Sequence, residues 1–85
     1  MKNIADIMKQ AQQLQSRVTD MQAELEAAQV EGRAGGGLVT ITMSGKGEVK
    51  KVSIDPSLMK EDEREIVEDL IVAAAADAKA KADAL

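Results

Sequence analysis

The sequence predicts an α+β fold in which one long helix leads into a small antiparallel sheet and a second long helix leaves it. Three stretches carry this expectation: a heptad pattern free of Gly and Pro from Lys2 to Gln29, alternating residues on both sides of Gly45-Lys46-Gly47, and an alanine-rich stretch beyond Pro56. With 85 residues the chain suffices for one small domain, 1–85.

In the first element, apolar residues fall at Ile4, Ile7, Ala11, Leu14, Val18, Met21, Leu25 and Ala28. Spacings of three and four in alternation make this a heptad seam. At 1.5 Å per residue the helix is roughly 40 Å long, more than a sheet of short strands covers, so much of it must meet another helix. Val30 to Gly37 is expected to end it, because glycine is costly in a helix and Gly35-Gly36-Gly37 admits left-handed backbone. Val30 to Ala34 is read as a short edge strand.

Leu38 to Ser44 then alternates, with Val39, Ile41 and Met43 on one face and Thr40, Thr42 and Ser44 on the other. After the glycine turn, Glu48 to Ile54 returns with Val52 and Ile54 facing inward and Lys51 and Ser53 outward. Asp55-Pro56-Ser57 stops the strand, since proline cannot donate to a ladder. The second helix is expected to begin near Lys60 to Asp62, its first turn rich in acids that suit the positive end of the helix dipole, with Asp62 and Glu65 as a capping box. Its inward stripe reads Ile66, Val67, Leu70, Ile71, Ala74, Ala78, Ala82 and Leu85. If the helices pack side by side, Met1 and Leu85 share the end far from the strands. Lys2, Lys9, Lys79 and Lys81 then gather at one tip, with acids from Glu61 to Asp69 at the sheet.

Composition narrows the chemistry. Cys, His, Trp, Tyr and Phe are absent, so no thiol or imidazole is on hand as nucleophile, neutral-range acid/base or soft metal ligand, and an enzyme is not expected. Lack of Cys suits a reducing cytosol. Fourteen of the apolar residues are Ala, which leaves 24 larger ones, and so thin a core points to oligomerisation. Asp6 and Lys9 interrupt the N-terminal segment, so neither a signal peptide nor a membrane span is expected. Gly45-Lys46 is followed by Gly47 and lacks the upstream glycine of a P-loop, and Gly35-Gly36-Gly37 precedes a strand and not a helix, so no nucleotide is implied. The acids Glu61 to Asp69 splay around a helix, so no metal is assigned, and no cofactor is expected. The lysines read either as phosphate contacts or as a solvated helix face; the formal net charge of −4 allows a local basic surface all the same.

An ordered set of segments, Met8-Lys9-Gln10-Ala11-Gln12-Gln13, Gly35-Gly36-Gly37-Leu38-Val39, Gly45-Lys46-Gly47, Val52-Ser53-Ile54-Asp55-Pro56-Ser57-Leu58 and Glu68-Asp69-Leu70-Ile71-Val72-Ala73-Ala74, resembles the YbaB/EbfC family of bacterial nucleoid-associated proteins over essentially the whole chain. The resemblance implies an α-β-β-β-α subunit with a three-stranded antiparallel sheet, in a tweezer-like homodimer with protruding helices. It further implies cytoplasmic, nucleoid-associated binding of double-stranded DNA with possible effects on transcription or DNA protection, no catalysis, and contacts on the helical arms. Those contacts fall here on Lys2, Lys9 and Arg17 of the first helix, then on Lys79 and Lys81 of the second, each donating to phosphate oxygens. With no aromatic side chain for base stacking, duplex is preferred to single strands. Family members commonly continue past the second helix into a tail rich in Met, Gly and Pro, whereas this sequence ends at Leu85. A prefoldin-like helical holdase or assembly adaptor is the alternative, since helix, hairpin and helix is also that layout.

Overall fold

A computed structural model describes residues 3–85. The order is helix α1 (Ile4–Ala27), strands β1 (Gln29–Ala34), β2 (Val39–Ser44) and β3 (Val49–Ile54), two short 3₁₀ turns (Pro56–Leu58 and Glu61–Glu63), and helix α2 (Arg64–Asp83). The strands form one antiparallel sheet in the order β1-β2-β3, so the expected α-β-β-β-α arrangement is present.

Sequence chemistry explains most boundaries. Asn3 caps α1, its side chain accepting from the Asp6 N–H at 2.9 Å. The helix stops at Ala27, short of Gly32, and the first glycine lies inside β1. What ends it is tertiary: the Gly45 N–H donates to the carbonyls of Leu25 at 2.9 Å and Ala28 at 3.0 Å, satisfying groups that a helix C-terminus leaves open. Asp55 opens the first 3₁₀ turn by accepting from the Ser57 N–H at 2.9 Å, as the Asp-Pro-Ser sequence foretells. The expected Asp62–Glu65 capping box does not form, because the second 3₁₀ turn comes first and α2 starts at Arg64 with no side-chain cap.

Val39, Ile41 and Met43 are buried against Ala74, Ala78 and Ala82 of α2, with Leu58 closing one end. A side chain at Gly32 would run into the backbone of α2 at Ala74 and Ala78, so this glycine sets how closely helix and sheet approach. Ser44, expected to face outward, is wholly buried. It ends β2 at the hairpin turn, which closes around it, and its Oγ accepts from the Lys46 N–H at 3.3 Å and the Glu48 N–H at 3.2 Å. Val52 lies on the α2 side of the sheet as expected but stays 45% exposed, because α2 covers β1 and β2 and leaves β3 bare.

The two helices do not pack side by side. The molecule measures 72 × 16 × 16 Å, a length close to the sum of α1 at about 36 Å and α2 at about 30 Å. They therefore follow one another along a rod. Leu85 lies at the base of α1, lining a cleft with Met21, Leu25 and Ala28, remote from the start of that helix at Ile4. Residues Met1 and Lys2 fall outside the described part.

Candidate nucleic-acid interface

Helix α1 is an arm with no buried residue. Its apolar seam faces solvent in the single chain, with Ile4 76%, Leu14 65% and Met21 60% exposed. Lys9 stands opposite the seam in the heptad count and Arg17 beside it, so a partner on the seam leaves both cations available. Among the described residues neither makes an ion pair. The outer part of the arm, Asn3 to Val18, carries these two cations and Asp6, whereas Asp20, Glu24 and Glu26 make its root acidic. Lys2, the other expected contact on this helix, lies outside the described residues.

Lys79 and Lys81 sit on the head, near the base of the arm, about 27 Å along the helix rise from the level of Lys9. Both are engaged. Lys79 Nζ pairs with Asp83 at 2.6 Å. Lys81 Nζ bonds the Glu31 carbonyl at 2.7 Å and the Asp77 carboxylate at 3.0 Å, and Asp77 Oδ2 in turn accepts from the Arg33 N–H at 3.0 Å. Asp77 and Lys81 thus close the outer edge of β1, supplying side-chain partners where another strand would pair. Sequence reading misses this clamp: an Asp and a Lys four apart on a helix signal a local pair, and nothing in their spacing names β1 as a third party. The hairpin lysines are likewise partnered in part, Lys46 with Glu26 at 4.0 Å and Lys50 with Glu48 at 3.1 Å, while Lys51 and Lys60 make no ion pair among the described residues. The structure therefore groups Lys9 and Arg17 on the arm and separates them from Lys79 and Lys81.

The Arg33 N–H, then Lys81, hold the Asp77 carboxyl below its ordinary value of 3.8. A depressed pKa contributes stability that is complete above the ordinary value and lost as pH falls through the lowered one. Asp77→Asn keeps an acceptor for Arg33 but cannot titrate. The wild-type chain should accordingly lose more of its urea midpoint than D77N between about pH 6 and pH 3. Equal losses would remove Asp77 from the acid response.

Among the described residues no group of His, Cys, Asp or Glu is placed to hold a metal ion, and no helix is long and apolar enough to cross a membrane. A crystal structure of an uncharacterized protein from Helicobacter pylori superposes with a TM-score of 0.82 at 17% identity, covering 98% of this chain and 87% of that one, which establishes the shared fold. Relatives named nucleoid-associated proteins are 61% identical in Rhodopseudomonas palustris (99% of this chain, 79% of the relative) and 58% identical in Nitrobacter hamburgensis (98% and 78%). Another in Agrobacterium fabrum is 54% identical (99% and 78%). Neither these names nor the family description is that of an enzyme. The sequence model of the YbaB/EbfC DNA-binding family matches residues 1–85 of this α-β-β-β-α chain, and the chain belongs to that family.

Proposed function

We propose that this protein is nucleoid-associated, acts in the cytoplasm, and binds double-stranded DNA as a homodimer through phosphate contacts with little sequence specificity. Roles in nucleoid organisation and gene regulation follow from such binding. The observation that carries the reading is the arm: a 24-residue helix with no buried residue, whose cations Lys9 and Arg17 have no competing carboxylate among the described residues. Cations of this kind exchange condensed counterions for phosphates without first breaking an ion pair. Lys2 extends the same row by sequence. Lys79 serves as a secondary contact at the arm base by giving up an exposed pair that is worth little in water, and Lys81 does so only by also releasing the Glu31 carbonyl.

Homodimerisation is supported by the unpartnered seam. An isolated helix with a solvated apolar stripe gains nothing from that stripe, whereas two copies that cover each other's apolar surface do. The acidic segment Glu61 to Asp69 lies at the end of the rod remote from the arm, which removes much of the net negative charge from the neighbourhood of bound DNA.

Fluorescence anisotropy with a mixed-sequence duplex tests the mechanism. Affinity should fall steeply and log-linearly with salt, with a slope near −0.9 per phosphate neutralised, and be weaker for single strands of the same length. Affinity that stays flat with salt rejects phosphate contact. The exposed seam also favours the holdase reading, because an apolar groove is what unfolded clients grip; suppression of client aggregation without any DNA retention would establish that function instead.

A further inference from the structure

An apolar cleft and the acidic segment meet at the end of the rod remote from the arm, where neither takes part in DNA binding. The cleft is walled by Ile54, Leu58, Met59 and Val67, with Glu61, Arg64 and Glu68 at its rim. It forms because the Asp55-Pro56-Ser57 stop turns the chain away from β3 before α2 begins. Leu58 is drawn into the core, whereas Met59, the next residue, is left 69% exposed as one wall. The cleft has a volume of about 310 Å³ and a wholly apolar floor. Pockets that hold whole small molecules run from about 300 to 1,000 Å³ and carry a few polar groups that fix the ligand's orientation. This cleft is at the small end and has no such group in its floor. It suits one or two apolar side chains, delivered by a chain whose polar contacts lie outside.

Charge identifies that chain. From Lys60 to Asp69, six carboxylates (Glu61, Asp62, Glu63, Glu65, Glu68 and Asp69) stand against two cations, Lys60 and Arg64. The local balance of −4 equals the formal net charge of the whole protein, so the remainder is neutral. Capping accounts for little of this. Helix α2 has no side-chain cap, and the benefit of its dipole to an acid fades beyond the first turn, where Glu68 and Asp69 stand. Among the described residues only Glu68 of the six makes an ion pair, with Arg64 at 3.7 Å. None of the six makes a side-chain hydrogen bond there. Carboxylates crowded in this way repel one another, and a cationic ligand relieves the repulsion. Glu61 and Arg64 also line a second hollow with Asp62, Glu65 and Ile66, so an acid-walled slot lies against the apolar one.

We infer that the cleft before α2 is a docking site for a cationic amphipathic segment of another protein. An apolar side chain of that segment fills the space between Leu58, Met59 and Val67, and neighbouring Lys or Arg side chains meet Glu61, Asp62 and Glu65. A short helix with apolar residues three and four apart and cations between them offers both in one element. The flexible thioether of Met59 adapts the wall to anchors of differing shape. Duplex DNA is repelled by so acidic a surface, so the site goes beyond the DNA-binding reading and does not depend on it.

The probe is a synthetic peptide with leucine at helical three-and-four spacing and lysine elsewhere, titrated into the full chain and followed by methyl NMR. Shifts should centre on Ile54, Leu58, Met59 and Val67. Serine in place of the leucines should weaken binding at least about tenfold, as expected for the loss of one buried anchor. Glu61→Gln combined with Glu65→Gln changes only exposed side chains. This double variant should keep its far-UV spectrum and bind the peptide about three- to tenfold more weakly at low salt, a gap that narrows as salt rises. Shifts on the α1 seam at Leu14 and Val18 in place of the cleft, equal binding of the serine peptide, or indifference to the double variant overturns the inference. So does a wild-type chain whose own oligomers are dispersed by the double variant, which gives the cleft to a second copy. A separate titration with duplex alone reads the DNA-binding proposal, so the two stand or fall independently.

Discussion

Replacing Gly32 by valine is expected to unfold the head. The position is buried in β1, and a Cβ there is driven into the carbonyl of Ala74 and the amide of Ala78, which are backbone atoms of a continuous helix and cannot rotate aside. Relief requires lifting α2 from the sheet, separating Ala74 and Ala78 from Val39 and Ile41, which form the centre of the core. Overpacking of a flexible site costs about 1–3 kcal/mol, and a clash with fixed backbone belongs at or above the top of that range. A domain of this size has on the order of 5–10 kcal/mol in all, so most of its stability is at stake. Gly36→Ala supplies the contrast. Gly36 has φ +68° and open space around its Cβ position, so alanine there meets only the left-handed backbone penalty, about 1–2 kcal/mol. Urea unfolding followed by circular dichroism separates the two, and similar midpoints for both variants would show that α2 does not need the glycine.

The combined substitution of Lys2, Lys9 and Arg17 by alanine is expected to abolish most duplex binding near physiological salt while leaving the head folded. Each cation that contacts a phosphate contributes about 0.9 to the magnitude of the salt slope, and a dimer loses twice the number removed from one chain. The slope should therefore flatten along with the loss of affinity, a pairing that simple misfolding does not produce. Alanine is also a good helix former, so the arm itself is preserved. The matching change of Lys79 and Lys81 should weaken binding less, and Lys81→Ala should additionally lower stability by removing the clamp on β1. An unchanged affinity in the arm variant would place the DNA contacts on the head.

Local pattern made much of the fold legible. The heptad seam of α1, the alternation of β2, the Asp-Pro-Ser stop and the alanine stripe of α2 each report a periodicity or a turn chemistry confined to a few neighbouring residues. The position of Lys9 opposite the seam and of Arg17 beside it is a matter of helical phase, whereas their role as DNA contacts is a proposal that comes from the family resemblance. Ser44 was not legible. Its burial depends on the turn folding back so that the Lys46 and Glu48 amides reach its hydroxyl, a contact that leaves no trace in the alternation of β2. The helix end at Ala27 was hidden for a related reason: the Gly45 amide that terminates it arrives from another part of the chain.

Taken by itself, the sequence determined the kinds of elements, their order and most of the apolar side of each, because these depend on propensity and period along a short stretch; Ile66 and Leu85, read as inward on α2, are 49% and 61% exposed. Only the tertiary structure decided that α2 lies along the sheet and ends at the root of α1, and that Lys79 and Lys81 stay on the head while Lys9 and Arg17 ride the arm. The direction of one element relative to another is set by a few long-range contacts, here Gly32 beneath Ala74 and Ala78, Gly45 at Leu25, and Asp77 with Lys81 on β1. Such contacts join residues whose separation along the chain leaves no periodic trace.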